Sequence, residues 1–227
     1  MTPTPYETTY TDGADAYAKR RQDMVDRQLR RRGITDRSVL KAMEDVPREQ
    51  FVPPRSRQHA YSDGALAIGE DQTISQPWIV AFMTSLLELD GQERVLEVGT
   101  GSGYGAAVLS RCAREVVTIE RHASLAGRAG ETLKQLGYTN VEVRTGDGCR
   151  GAPDRAPFDA IAVTAAAEAP PPELLRQLGP RGALVLPITG AENEYLTRFR
   201  DGDVEQFVGV RFVPLVESHD FPDANEY

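Results

Sequence analysis

The feature that most restricts this chain is a short β-forming run, Arg94-Val-Leu-Glu-Val98, that passes directly into Gly99-Thr-Gly-Ser-Gly103 and then into a helix-forming stretch. Three alternating glycines exceed what a tight connection needs. They let the backbone bend sharply and leave no β-carbons in the path of a ligand. A strand, a glycine turn and a helix in that order open a βαβ unit, and ligands of such sheets lie beyond the carboxyl ends of the strands.

The rest of the chain supports that reading. Short β-rich runs at 94–98, 115–119, 141–144, 160–163 and 183–187 alternate with helical patterns at 105–111, 123–136 and 172–178. Right-handed βαβ units follow, which makes the fold class α/β: a doubly wound, mostly parallel sheet covered by helices. Two further runs, 195–200 and 204–216, are joined through Asp201-Gly202-Asp203 without a helix between them. They predict an antiparallel hairpin at the sheet edge. Upstream, helices are expected over 16–32, ended by Gly33, and from the N-cap Asp36 to Met43 before Pro47. A third is expected over 77–89, with Pro77 near its first position. Pro53, Pro54, Gly64 and Gly69 mark 51–72 as irregular backbone. One domain over 16–216 accommodates all of this: N-terminal helices and a substrate-side segment (16–92), a ligand-binding core (93–188) and the hairpin (189–216). A flexible extension (1–15) and an acidic tail (217–227) flank it.

Charge and cysteine usage narrow the function. A net charge of −8 removes any global electrostatic reason to bind nucleic acid. Lys19-Arg20-Arg21 with Arg27, Arg30, Arg31 and Arg32 is interrupted by Asp23 and Asp26, the pattern of a solvated helix face. No apolar run has membrane-spanning length, and the first residues lack the basic start and apolar core of a secretory signal, so a cytoplasmic location is expected. Cys112 and Cys149 have no metal-ligand spacing and are expected to be free thiols; no metal site is expected.

The ligand can be narrowed by its loop. A dinucleotide site would place glycine where Tyr104 stands, and a phosphate loop would need a lysine that is absent. The spacing resembles instead the first motif of class I methyltransferases, a Rossmann-like fold that binds S-adenosyl-L-methionine, with Glu97 at the acidic position of the strand. On that resemblance Gly99, Thr100, Gly101, Ser102 and Gly103 form the cofactor loop. Glu120 ends the next strand about 20 residues on, where a carboxylate accepts from both ribose hydroxyls. Asp147 and Gly148 end a third strand, placing a carboxylate for the adenine amino group. The competing readings are a surface charge at Glu120 and a plain Asp-Gly turn at Asp147.

Function lies outside this shared half. Asp71-Gln72-Thr73-Ile74-Ser75-Gln76-Pro77 leads into a helix, where Thr73 or Ser75 is a candidate cap. With Val46-Pro-Arg-Glu-Gln-Phe-Val52, Gly146-Asp-Gly148, Phe158-Asp-Ala-Ile-Ala-Val-Thr-Ala-Ala166 and Val210-Arg-Phe-Val-Pro-Leu-Val216, it resembles the protein-L-isoaspartate O-methyltransferase family over 23–216. The resemblance implies methylation of the α-carboxylate of L-isoaspartyl residues in damaged proteins or peptides, acting as a monomer without nucleic acid or membrane. It implies that Ser75 orients the acceptor carboxylate and that Thr73 and Ile74 line the cofactor edge. Val213, Pro214 and Leu215, on the last strand, would hold the substrate peptide, with Thr164 and Ala165 near the same mouth. Two departures stand out. Glu70-Asp71 puts two carboxylates beside the site of an anionic acceptor, and Gly105 replaces a larger residue, loosening a helix start. The alternative is a relative that methylates a normal aspartate of a dedicated peptide to form a succinimide. Nucleic-acid or small-molecule methyltransferases and an inactive cofactor-binding protein are further competitors.

Overall fold

The computed structural model describes residues 14–217. The sequence-predicted extension and acidic tail therefore lie almost wholly outside the described residues. Helix α1 (Ala14–Met24) does not run unbroken to residue 32; a π turn (Val25–Leu29) and a 3-10 turn (Arg30–Arg32) continue it, and Gly33 ends it at φ 90°. The wider turn keeps Val25 and Leu29 both buried. The basic stretch is tied down by acids: Arg27 pairs with Asp23, and Arg30 with Asp26 and Glu44. Helix α2 (Arg37–Asp45) starts as expected, because the Asp36 side chain accepts from the Ser38 and Val39 amides.

The segment expected to be irregular holds two 3-10 turns, Arg48–Phe51 and Pro54–His59, and a small antiparallel hairpin, β1 (Leu66–Gly69) with β2 (Gln72–Ile74). Strands of four and three residues are too short for alternation to show. Their turn is made by Glu70 and Asp71 at φ 51° and 55°, a left-handed geometry in which glycine or asparagine is the usual signal. Helix α3 (Pro77–Leu86) follows.

The main sheet has seven strands in the order β5-β4-β3-β6-β7-β8-β9. They are β3 (Arg94–Val98), β4 (Glu115–Glu120), β5 (Val141–Thr145), β6 (Phe158–Val163), β7 (Leu178–Thr189), β8 (Glu194–Arg200) and β9 (Asp203–Val210). The first five are parallel, and the last two form the antiparallel edge hairpin around Asp201-Gly202. Helices α4 (Tyr104–Ser110), α5 (Ala123–Gln135) and α6 (Pro172–Arg176) connect them. Alternation sorts the core: Val95, Val116, Ala160 and Val185 pack on the face shared with α2 to α5, while Leu96, Val98, Ile119, Ile161 and Leu184 pack on the other with Leu174 of α6. Chain order reverses across β3, with β4 on one side and β6 on the other, so the crevice of the sheet opens at the carboxyl end of β3.

Strand β9 ends at Val210, six residues short of expectation. Val213, Pro214 and Leu215 therefore lie beyond the last strand. They run back to the sheet's carboxyl edge, where Ala166 N donates to Val213 O and Leu215 N donates to Ala166 O at 2.8 and 2.7 Å. Proline fits between those two bonds because it has no N–H to leave unpaired. Among the described residues, no helix is long and apolar enough to cross a membrane.

Candidate active site

The glycine loop is held from both sides of β3. Gly99 N and Thr100 N donate to Ile119 O, at 2.8 and 3.2 Å. On the other side Thr164 Oγ1 reaches Gly99 O at 2.9 Å. Gly99 has φ 98°, and a β-carbon there would collide with Thr164 Oγ1, so this position requires glycine twice over.

Glu120 sits where β4 ends, and only 5% of it is exposed. Its Oε2 accepts from Gly101 N at 2.8 Å and its Oε1 from His122 N at 3.0 Å. Each oxygen retains a lone pair for a ligand hydroxyl. The surface-charge reading of Glu120 thus fails, since the carboxylate is buried against the loop. Asp147 is also buried; its carboxylate accepts from Cys149 N at 2.9 Å and caps the 3-10 turn Gly148–Arg150.

Glu97 lies beneath α4. Thr118 Oγ1 donates to its Oε2 at 2.6 Å, and Thr100 Oγ1 lies 2.6 Å from Thr118 Oγ1. A β-carbon on Gly105 would collide with Glu97 Oε1, so Gly105 makes room for this carboxyl. The expectation that Gly105 only loosens the helix is corrected: alanine would gain about 1 kcal/mol of helix propensity but cost about 1–3 kcal/mol of overpacking. Burial pushes Glu97 up to about 8, assisted by the nearby charge of Glu120 and opposed by the Thr118 hydroxyl. The sign follows from linkage. Over the window from about 4.3, its unfolded value, to about 8, the folded chain holds the proton and the unfolded chain does not. The stability of the neutral form is complete below that window and is lost as pH rises through it. Without cofactor, the thermal midpoint is expected to fall by about 5 °C or more between pH 5.5 and 8.5, and Glu97→Gln should flatten this change. An unchanged slope in the variant would remove Glu97 as its source.

A cavity of about 360 Å³ opens above these groups. Its walls include Thr73, Ile74, Ser75, Gly99, Thr100, Ser102, Glu120, Gly148, Thr164, Ala165, Val213, Pro214 and Leu215, all named from sequence. Four other expected residues, Glu97, Gly101, Gly103 and Asp147, stand behind its surface: Gly101 and Gly103 shape the loop, and the two carboxyls sit under Gly105 and beside Gly148. Asp71, placed beside the site from sequence, is on the wall as well, and sequence reasoning missed Arg121 and His122 there. The last two directly follow Glu120, so a rule extending strand ends by two residues would have found them.

A second, open cavity of about 870 Å³ adjoins the first and shares Thr73, Ser75, Thr164 and Val213 with it. Ser75 is therefore at the common lip. The helix-cap reading of Thr73 and Ser75 does not hold: Gln76 is the N-cap of α3, with no side-chain cap bond. Glu70 turns away and accepts from Ser124 Oγ at 2.6 Å, while Asp71 borders the first cavity and not the second. Of the two carboxylates expected beside the acceptor, Glu70 is thus bound elsewhere and Asp71 stays on the wall that Ser75 also lines. Burial pushes Cys112 and Cys149 up to about 12 each, which leaves no reactive thiolate near neutral pH. Among the described residues no His, Cys, Asp and Glu group of metal-site size occurs.

A crevice at the strand reversal, a loop of alternating glycines and a buried carboxylate ending the next strand are the marks of a class I, S-adenosyl-L-methionine-dependent methyltransferase. The comparisons carry this further. Residues 19–220 match the family described as protein-L-isoaspartate(D-aspartate) O-methyltransferase, and the chain belongs to that family. Protein-L-isoaspartate O-methyltransferase 2 of Shewanella sediminis is 51% identical over 221 residues, covering 95% of this chain and 90% of the relative. The Roseiflexus sp. protein-L-isoaspartate O-methyltransferase is 52% identical over 207 residues, covering 89% and 94%. A solved protein-L-isoaspartate O-methyltransferase aligns with TM-score 0.77 at 30% identity over 86% of this chain, which spans 65% of that one. A Plasmodium falciparum structure, in complex with S-adenosyl-L-homocysteine, aligns with TM-score 0.75 at 24% identity, covering 87% and 99%, and supports the fold.

Proposed function

We propose that the protein methylates the α-carboxylate of L-isoaspartyl residues in damaged proteins at large, working as a cytoplasmic monomer that binds neither nucleic acid nor membrane. The observation that carries this reading is the place of Ser75, on the lip shared by a cavity of about 360 Å³ that Glu120 lines and a larger one of about 870 Å³. In the first cavity the Glu120 carboxylate would hold the ribose, and Asp147, beside Gly148, the adenine amino group. Glu97 and the loop Gly99–Gly103 bound the amino-acid end, with Thr73 and Ile74 at its edge. When bound, S-adenosyl-L-methionine supplies an electrophilic methyl group whose bonding electron pair returns to sulfur.

On the side of the second cavity Ser75 Oγ would donate to the acceptor carboxylate and so orient it for methyl transfer. Ala165 and the Val213-Pro-Leu215 segment hold the peptide. The acceptor is already ionised at neutral pH, so no general base is needed and alignment is the main contribution. The resulting ester is left to the following backbone amide of the peptide, whose attack expels methanol and closes a succinimide. Water then opens it, in part to normal aspartate.

The test is methyl transfer to an isoaspartyl peptide and to its aspartyl twin. Transfer at least about 100-fold more efficient to the isoaspartyl peptide is expected, on the scale set by acceptor alignment. Equal transfer to both would favour a dedicated-peptide enzyme, and none to either would sink the reading.

A further inference from the structure

The Val46-Pro-Arg-Glu-Gln-Phe-Val52 motif takes no part in the site as described. Arg48 within it is wholly buried at 0% exposure. Its neighbour Glu49 is engaged by Tyr61 and Arg21 and leaves the guanidinium unpaired with any carboxylate among the described residues. A buried cation without an anion is a costly placement, and an apolar side chain would fill the space more cheaply. What the guanidinium does instead is join three separate segments. Its Nε donates to Ala60 O at 2.7 Å and its Nη2 to Ser75 O at 2.7 Å. Its flat face lies 4.7 Å from the ring centroid of Tyr104, the first residue of the helix that follows the glycine loop. Nη1 has no hydrogen-bond partner among the described residues, so these contacts are its compensation there. Burial lowers the guanidinium's pKa, and the Tyr104 side chain opposes that shift.

Ser75 needs such a support. Its hydroxyl makes no hydrogen bond to another described residue, so the place of its Cβ, about which the hydroxyl turns, is set by its own backbone. A charge-assisted bond to the Ser75 carbonyl fixes the peptide plane that follows it, and through it the Cα–Cβ direction.

We propose that Arg48 is a positioning residue for Ser75: it locks the acceptor segment onto the start of the cofactor-side helix, so that the serine Cβ is held at the shared lip. This rests on the reading of Ser75 as the group that orients the acceptor.

The experiment compares Arg48→Lys, Arg48→Met, Ser75→Ala and the double variant Ser75→Ala/Arg48→Met. Each is assayed for kcat and KM on an isoaspartyl peptide and for S-adenosyl-L-homocysteine affinity, with folding checked by circular dichroism. Lysine keeps the charge but has no fork to reach two carbonyls. Both single Arg48 variants are expected to fold, to lose about 10-fold or more in kcat and to keep cofactor affinity within about threefold. The double variant is expected to be no slower than Ser75→Ala alone, because the two residues act through one hydroxyl. Losses that multiply in the double variant would overturn the proposal, as would Arg48→Met with kcat within about twofold of the parent protein. Failure of both Arg48 variants to fold would assign the residue to the core and overturn it equally. If Ser75→Ala itself costs nothing, the reading of Ser75 fails first; if it costs activity and the Arg48 variants do not, only this inference falls.

Discussion

Replacing Glu120 with alanine is expected to weaken S-adenosyl-L-homocysteine binding by about 100-fold, which corresponds to about 2.7 kcal/mol. The carboxylate holds the loop through Gly101 N at 2.8 Å and the next turn through His122 N at 3.0 Å. Hydrogen bonds to a charged group contribute about 1.5–3 kcal/mol each, so loss of the ligand contact alone reaches this size. Relaxation of the loop adds to it. Glu120→Gln keeps the shape and one acceptor, and about a 10-fold loss is expected. Isothermal titration measures both. Affinity within about threefold of the parent for Glu120→Ala would show that the carboxylate serves the loop and not the ligand.

The second large effect is at Ser75. In Ser75→Ala the acceptor carboxylate loses its orienting donor while the cofactor wall keeps its shape. A fall in kcat of about 100-fold is expected, the scale of misplacing a reacting group by about an ångström, with cofactor affinity changed less than about twofold. Single-turnover rates separate this from product release. Turnover equal to that of the parent protein would leave Ser75 without a part in the reaction.

How much of this was legible in the sequence depended on the kind of signal. Strands β3 to β7 and their helices were readable because buried parallel strands give continuous apolar runs broken by glycine and charge. Glu120 was readable because position relative to a glycine loop is a covalent fact. The β1–β2 hairpin was not, since its strands are short and its turn residues, Glu70 and Asp71, adopt a left-handed backbone that their identity does not announce. The end of β9 was misplaced because Arg211 to Val216 keeps β-like composition while its hydrogen bonds go to Ala166 and to the Glu194 side chain. Arg48 was quoted within a motif yet carried no role, because its meaning is set by Ala60, Ser75 and Tyr104, which only the fold brings together.

The return of the chain at Pro214 has a consequence for amide exchange. The wall of the cavities is fastened to β6's outgoing loop by Ala166 N, which donates to Val213 O, and Leu215 N, which donates to Ala166 O, with Pro214 between Val213 and Leu215 contributing no proton. Those two protons exchange only when the wall lifts, whereas the amides of β3 and β6 exchange when the sheet opens. The same molecule thus carries two separate clocks, one for the wall of the cavities and one for the fold itself.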